Sequence, residues 1–294
     1  MEFVIQQLIN GISLGSIYAL IALGYTMVYG IINLINFAHG EIYMMGAFVG
    51  YALTTFLGLG FIPSLIISMI TCSILGMVVE KVAYKPLRGS SRISLLITAI
   101  AVSLFLQYIM VYFVGPETRT FPQVVESTKI MLFDGSVVLD IRNVYILAIT
   151  VILMILLQYI VRKTKTGKAM RAVAQDKDAA ELMGISVDKV ISVTFAIGSA
   201  LAGAAGVLVG IYYNTINPLM GSGPGLKAFV AAVLGGIGLI PGALLGGFSL
   251  GLIETIVSAY GGSIYKDAVA FAILIVVLLV KPAGLLGKDV KEKV

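Results

Sequence analysis

Charge is scarce in this 294-residue chain. Only 12% of the residues are charged and 59% are hydrophobic, whereas soluble globular domains average about 25% charged residues. A soluble fold could not hide so much apolar surface, since even large domains bury only about 75% of what the unfolded chain exposes. Apolar runs near the ~20 residues needed to cross a bilayer recur along the chain, and they are continuous rather than alternating. The composition therefore predicts an all-α, polytopic integral membrane protein forming one transmembrane domain, 1–294.

Other scarcities exclude several kinds of chemistry. Cys72 is the only cysteine and His39 the only histidine, so we expect neither a disulfide framework nor a metal site within the chain. The nucleotide-binding Walker pattern, HExxH and GxSxG do not occur. We therefore expect a protein that is not an enzyme and carries no cofactor, and whose energy comes from a partner or a gradient.

The basic residues are concentrated in three segments. Segments 81–92 and 162–189 and the tail from Lys281 hold 15 of the 20 Lys and Arg residues. By the positive-inside rule these segments face the cytoplasm, and the more acidic loop 115–141 lies outside. The net charge of +5 is thus explained by topology, and no nucleic-acid partner is expected.

This topology predicts about eight to nine transmembrane helices, with the C-terminus cytoplasmic and the N-terminus external. The stretch 226–260 must supply two short crossings or a re-entrant excursion, because the number of crossings between two cytoplasmic segments is even. Its centre, LGGIGLIPGALLGG at 234–247, contains the glycines and the proline that would break a helix. The region around 33–41 is expected to be broken as well.

These two broken segments share a glycine pattern. Gly40, Gly46, Ala47 and Gly50 recur, 196 residues later, as Gly236, Gly242, Ala243 and Gly246. Paired interruptions in the two halves of a membrane protein indicate a transport pathway, although glycines that only pack helices would give the same pattern. The predicted pathway candidates are Asn36, His39, Gly40, Glu41, Tyr43, Met44, Gly46, Gly236, Gly238, Pro241 and Gly242.

Two polar residues within other spans are assigned structural roles. Glu254 lies deep in an apolar run, where an ionised acid costs about 2.5–3.5 kcal/mol. We expect it to face the bundle interior, either protonated or bonded to Ser249, Thr255 or the backbone. Gln107, in the fourth span, is predicted to form an interhelical hydrogen bond.

The loop 162–189 is long and patterned for a connector. Charged and apolar residues alternate as in short amphipathic helices, a helix start is predicted between Gln175 and Asp178, and Gly184 is predicted to stop it. The run Asp178-Ala179-Ala180-x3-Gly184 resembles the EAA-x3-G signature of ATP-binding-cassette (ABC) importer permeases, with Asp in place of Glu. In that family the segment is a coupling helix that docks on the ATPase subunit.

Together with NLINFAHGEIYMMGAF at 33–48 and LGGIGLIPGALLGG at 234–247, this motif makes nearly the whole chain similar to branched-chain amino-acid ABC permeases, most of all to the H-type of the Leu/Ile/Val system. The resemblance implies a heterodimer with a second homologous permease, two cytoplasmic ATPases holding ATP and Mg, an external binding protein and a location in the inner or plasma membrane of a prokaryote. From their residue types and their place in the first broken segment, we expect Asn36, His39 and Glu41 to satisfy freed backbone groups and to meet the polar end of the cargo, beside apolar neighbours.

Two alternatives remain open at this stage. Permeases for urea or short amides look alike at these motifs. An ion-coupled secondary transporter using Glu254 or Asp267 is a second alternative, and an intramembrane enzyme is remote.

Overall fold

The computed structural model describes residues 2–32, 34–125, 128–132 and 135–287. The predicted tail lysines Lys288, Lys291 and Lys293 lie outside these residues. Eleven α-helices occur in the described chain: α1 (Glu2–Ile32), α2 (His39–Phe56), α3 (Phe61–Val79), α4 (Arg92–Val114), α5 (Ile141–Lys163), α6 (Lys165–Gln175), α7 (Lys177–Leu182), α8 (Val187–Tyr213), α9 (Ser222–Gly235), α10 (Ile240–Tyr260) and α11 (Lys266–Val280).

Six of the described helices are long and apolar enough to cross a membrane, namely α1, α3, α4, α5, α8 and α10. Three shorter apolar helices, α2, α9 and α11, accompany them. The predicted all-α membrane architecture is confirmed, and so are the interruptions: six residues lie between the end of α1 and the start of α2, and residues 236–239 separate α9 from α10.

Helix α1 is the centre of the bundle and packs against α10, α8, α9 and α5. Its residues are buried on all sides from Leu14 to Val28, which explains why its sequence shows no polar face. Small residues permit the closest contacts: a Cβ at Gly247 of α10 would overlap the backbone of Ala19. By contrast, α4 and α5 expose many large apolar residues at the bundle periphery, as expected for surfaces that face lipid.

Short strands cover one end of the bundle, which we call the strand end. Antiparallel pairs form between β1 (Arg119–Thr120) and β4 (Thr215–Ile216) and between β2 (Lys129–Leu132) and β3 (Val137–Asp140). The side chain of Gln6 exchanges two hydrogen bonds with the backbone of Val138, at 2.7 and 3.1 Å, and ties β3 to the start of α1.

The opposite end, the elbow end, carries α6, α7 and a tight bend after α3. This bend, the elbow, consists of a π-helical turn, Glu80–Tyr84, and a 3-10 turn, Lys85–Leu87. The C-terminal segment also folds here, where the backbone N–H groups of Leu285 and Leu286 donate to the carbonyls of Leu234 and Gly235. Both predicted interruptions and the predicted coupling loop therefore reach toward one end of the molecule.

Candidate translocation site and coupling segment

The first break, residues 34–38, is organised by the side chain of Asn36. Its Oδ1 accepts a hydrogen bond from the backbone N–H of Ala38 at 3.1 Å and another from the hydroxyl of Tyr84, in the elbow, at 2.7 Å. The first bond satisfies a backbone group freed by the interruption, which is the role that sequence analysis assigns to this asparagine. The second joins the break to the elbow.

His39 begins α2 inside the bundle. Its ring lies on Gly24 of α1, where a Cβ would overlap Nε2, and it meets the ring of Tyr25 edge to face with centroids 4.7 Å apart. Gly24 precedes the end of α1 by eight residues, which corresponds to about 12 Å along a helix. Helix α2 therefore starts well within the depth of the bundle, as a discontinuous membrane helix does.

Helix α9 begins beside the start of α2. The backbone of Gly40 lies so close to Gly221 and Gly225 that a Cβ at Gly40 would overlap the carbonyl oxygen of Gly221. Glu41 sits in this junction: its Oε1 accepts a hydrogen bond from Ser103 of α4 at 3.4 Å, and its Oε2 points to Gly221. The carboxylate thus lies at the N-terminal ends of two helices, where the helix dipoles favour negative charge.

Three polar atoms at this junction have no partner. Among the described residues, five buried side-chain N or O atoms lack a hydrogen bond, and three of them are Asn36 Nδ2, His39 Nε2 and Glu41 Oε2. Buried polar groups are normally satisfied, so a concentration of exceptions marks a place where water or a ligand is expected. The junction presents a donor, an imidazole nitrogen and a carboxylate oxygen to such a ligand.

The predicted apolar neighbours of these residues are core residues. Tyr43 and Met44 are fully buried in the hydrophobic core, and Gly46 lets α2 approach α8, since a Cβ there would meet the Cα of Gly203 at 2.5 Å. In the described structure, Tyr43, Met44 and Gly46 therefore stabilise the wall behind the junction.

The second break has a different environment. Gly236 and Gly238 adopt positive φ angles of 108° and 92° that favour glycine, and Gly242 packs against the backbone of Gly235. Pro241, in the first turn of α10, is exposed. Gly238 lies against Gly30 of α1, whereas His39 lies against Gly24, so the two breaks occupy different depths along α1 and do not form one site.

The hydrogen-bond partners of Glu254 differ from the predicted ones. One of them is Lys227, a residue that was not among the predicted site residues. Glu254 Oε1 accepts a hydrogen bond from Lys227 Nζ at 2.8 Å, and Oε2 accepts one from the hydroxyl of Tyr18 at 2.8 Å. Lys227 also pairs with Asp267 at 2.6 Å. Ser249 and Thr255 are not the partners, because a neighbouring helix supplies a stronger, charge-assisted bond. The only feature of the sequence that could have indicated this pair is a single Lys within an apolar run, and Glu254 lies 27 residues away from it.

The predicted bond of Gln107 does not appear in the part of the chain that the structure describes. Gln107 lies half-buried on α4, four residues after Ser103 and therefore on the same helix face.

The coupling segment folds as its sequence indicates. Asp176 caps α7 by accepting from the backbone N–H of Ala179 at 3.0 Å. Gly184, at φ 79°, ends the helix: its N–H donates to the carbonyl of Glu181, and the next N–H, from Ile185, donates to Ala180. These two bonds form a Schellman motif, which requires the left-handed residue that glycine provides. The predicted helix start and glycine stop are confirmed.

An ion-pair network joins the elbow to α8, directly after the coupling segment. Arg88 pairs with the fully buried Glu80 and with Asp188, and Lys85 pairs with Asp188 at 2.7 Å. Ser192 of α8 donates to the other oxygen of Glu80 at 2.6 Å. Tyr84 belongs to the same π-helical turn as Glu80, so this one turn joins the ion pairs at the start of α8 to the hydrogen bond with Asn36.

Comparisons with known proteins agree with this architecture. A family described as "Branched-chain amino acid transport system / permease component" matches residues 7–278. The chain is 45% identical to the high-affinity branched-chain amino acid transport system permease protein LivH of Salmonella typhimurium, over 99% of this chain and 98% of that protein. It is 44% identical to the corresponding permease protein BraD of Pseudomonas aeruginosa, with the same coverage.

One solved structure, PsaBC from Streptococcus pneumoniae in complex with Fab, is similar over 95% of this chain and 91% of that chain, with 12% identity and a TM-score of 0.47. This likeness is too distant to carry an argument. The full-length matches to sequence relatives favour branched-chain amino acid permeases over the urea, amide and ion-coupled alternatives. The chain belongs to the family of permease components of branched-chain amino acid transport systems.

Proposed function

We propose that this chain is a membrane subunit of an ATP-driven importer that moves leucine, isoleucine and valine into the cytoplasm of a prokaryotic cell. The observation that carries the proposal is the 45% identity to a branched-chain amino acid permease over nearly the full length of both chains. In this assignment the elbow end faces the cytoplasm and the strand end faces outward, since the basic segments at 81–92 and 162–189 lie at the elbow end.

The junction of the first break with α9 is the proposed point of contact with the cargo. An amino acid presents an ammonium and a carboxylate group, and Glu41 Oε2 and Asn36 Nδ2 are unpartnered groups of matching chemistry. His39 Nε2 is the third. Polar groups held at the ends of discontinuous helices are suited to this task, because they are satisfied only when the cargo arrives. The remaining predicted positions, including those at the second break, hold the junction in place.

Helix α7 is the proposed contact with an ATPase. It leaves Leu182 and Met183 almost fully exposed, at 88% and 81%, although both are large apolar residues outside the apolar spans. A protein partner that covers them is the physical explanation. The proposed complex contains a second, homologous permease, two ATPases that hold ATP and Mg, and an external binding protein. This chain itself holds no cofactor, hydrolyses no ATP and binds no nucleic acid.

The first test is co-purification. The tagged chain is solubilised gently from native membranes and its partners are identified by mass spectrometry, and the complex is then reconstituted for uptake of labelled leucine with urea as competitor. We expect two ATPases and a second permease, and uptake that is inhibited by unlabelled valine but not by urea. A chain that purifies alone after mild cross-linking, or uptake driven by an ion gradient without ATP, would contradict the proposal.

A matched pair of glycines tests the coupling role. Gly184 and Gly89 are both exposed, and a Cβ at either meets nothing within 4 Å, but only Gly184 has a positive φ. Gly184→Ala strains the Schellman motif by about 1 kcal/mol, and Gly184→Pro cannot adopt its φ. We expect uptake to fall in that order while Gly89→Ala remains normal. The charge reversal Asp178→Lys should also impair uptake, and normal uptake in Gly184→Pro would refute the coupling role.

A further inference from the structure

A cavity of about 310 Å³ lies between α7 and the elbow, outside the junction described above. Its floor is apolar and comes from five parts of the chain: the end of α1, the first break, the elbow, the start of α4 and the first turns of α8. The floor residues are Ile32, Leu34, Tyr84, Leu95, Val187, Ile191 and Phe195. This volume is at the lower limit of the range of small-molecule sites, about 300–1,000 Å³, and suits a ligand of amino-acid size.

The mouth of the cavity is charged, and α7 supplies the free charges. Lys177, Asp178 and Glu181 line it, and none of them makes an ion pair or a side-chain hydrogen bond with another residue of the described ranges. The other charged lining residues, Arg88 and Asp188, are paired with each other. The cavity therefore offers one unpaired cation and two unpaired carboxylates above an apolar floor.

This arrangement selects among ligands by chemistry. A phosphate-bearing ligand, such as a lipid headgroup, would face two unpaired carboxylates, and a purely apolar ligand would leave three charges unused. A zwitterion with a branched aliphatic side chain can place its carboxylate at Lys177, its ammonium group at Asp178 or Glu181, and its side chain on the floor.

We propose that this cavity binds a free branched-chain amino acid from the cytoplasm and that its occupancy slows the transport cycle. The inference rests on the proposed function, which supplies the cargo class and places the elbow end in the cytoplasm. It goes further by assigning a second binding site for the transported amino acid, on the product side, with a regulatory effect.

The position of the cavity explains why a ligand there would act on transport. The bound amino acid would bridge α7 to the elbow, whose Tyr84 lines the cavity and donates its hydroxyl to Asn36 of the first break. Leu182 and Met183, the exposed apolar residues of the proposed ATPase contact, do not line the cavity. A ligand that favours one arrangement of α7 and the elbow slows any cycle that must pass through another.

Direct binding is the first test. The complete transporter in lipid nanodiscs, without binding protein, is equilibrated with labelled leucine, and bound leucine is counted per complex. Leu95→Trp should fill the cavity and Lys177→Gln should remove its cation, so both variants should lose one leucine per copy of this chain. Ile97→Trp is the matched control, because Ile97 lies on the same helix and is 60% exposed, and this variant should retain the additional leucine. Glutamate, with its additional carboxylate, should not compete.

The functional test uses inside-out vesicles that contain loaded binding protein, so that leucine can be added to the elbow end alone. We expect added leucine to inhibit the ATP hydrolysis that the binding protein stimulates. The half-inhibiting concentration should rise by at least about tenfold, equivalent to ~1.4 kcal/mol, in Leu95→Trp but not in Ile97→Trp. Equal inhibition in Leu95→Trp and the unmodified protein would place the effect in the pathway and overturn the inference.

The two proposals fail in distinguishable ways. A complex that imports leucine but shows neither the additional binding nor the inhibition overturns the cavity assignment and leaves the proposed function intact. A complex that binds its ATPases but imports no branched-chain amino acid overturns the proposed function, and the cavity assignment with it.

Discussion

The first and second breaks of the bundle differ in how their polar groups are satisfied. At the second break, residues 236–239, the N–H of Leu239 donates to the carbonyl of Gly236, and the C-terminal segment bonds to the carbonyls of Leu234 and Gly235 directly before the break. No buried side-chain N or O atom of the described part lacks a partner there. At the first break and the turn of α2 that follows it, Asn36, His39 and Glu41 each carry a buried atom without a partner. The second break therefore has a structural role, whereas the first break presents polar groups that are free to bind a ligand.

The shared glycine pattern accounts only for what the two breaks have in common. Gly46 of α2 packs on Gly203 of α8, and Gly242 of α10 packs on Gly235 of α9. In both copies these glycines allow backbones to approach closely, which is the packing alternative that the sequence left open. The difference between the breaks lies in residues that the pattern omits. The comparison therefore predicts that changes at satisfied groups cost stability, whereas changes at unsatisfied groups cost transport.

The largest expected effect is at Lys227, the best-satisfied buried charge near the junction. In Lys227→Met, Glu254 stays buried, and among the described residues it keeps only the hydrogen bond from Tyr18 and the more distant charge of Lys266. Removing one partner of a buried ion pair typically costs about 3–5 kcal/mol. We expect a large loss of folded protein, measured by membrane yield and by the thermal unfolding midpoint in detergent.

A double variant provides the control for Lys227. In Lys227→Met/Glu254→Met no unpaired buried charge remains, while Asp267 is 57% exposed and can be solvated. The double variant should recover much of the lost stability. If it is as unstable as the single variant, the pair is not the source of the effect.

The next effect tests close packing beside the second break. A Cβ at Gly246 would overlap the carbonyl oxygen of Ala231, whereas one at Gly223 of α9 would meet nothing within 4 Å. Gly246→Ala should lower the free energy of unfolding by about 1–3 kcal/mol, as overpacking does, and Gly223→Ala should change it little. Leucine uptake per folded molecule should be preserved in both. A stable Gly246→Ala protein that no longer transports would remove the distinction between the two breaks.

The fold can be predicted well from the sequence, because it depends on the length of the hydrophobic segments and on the positions of the basic loops. The predicted bundle of apolar helices forms, and the predicted interruptions occur. The cap of α7 is also predictable, since Asp176 and Gly184 act through local backbone geometry.

The candidate site is predictable only in part, because it depends on contacts between distant segments. The residues Asn36, His39 and Glu41 stand out by type, but their partners Tyr84, Gly24 and Gly221 leave no trace in the sequence near them. The ion pair of Lys227 and Glu254 cannot be predicted for the same reason, since neither residue indicates the other in the sequence. Tyr43 and Met44 are buried in the core, although they closely follow Glu41 in the sequence. Residues that are close in sequence therefore need not belong to the same site.

A smaller effect on stability, but a clear one on transport, is expected at Glu41. Glu41→Gln keeps the shape and can keep the bond to Ser103, but removes the negative charge at the two helix ends. We expect stability to change by less than about 1 kcal/mol and leucine uptake to fall at least about tenfold, since an ammonium group loses a charge-assisted partner. Pro241→Ala, at the exposed start of α10, is the second-break control and should transport normally. Full uptake by Glu41→Gln would show that the unpartnered carboxylate oxygen does not serve the cargo.

The smallest effect tests the link between the elbow and the first break. Tyr84→Phe removes the single hydroxyl that donates to Asn36 at 2.7 Å, and a buried hydrogen bond contributes about 1 kcal/mol. Asn36 still accepts from Ala38, so the break should persist while its connection to the elbow is lost. We therefore expect uptake to decline severalfold while ATP hydrolysis continues, so that more ATP is consumed per leucine imported. Tyr112→Phe, at an exposed tyrosine of α4, should leave this ratio unchanged. A proportional fall of uptake and hydrolysis in Tyr84→Phe would instead mean that the bond only stabilises the fold.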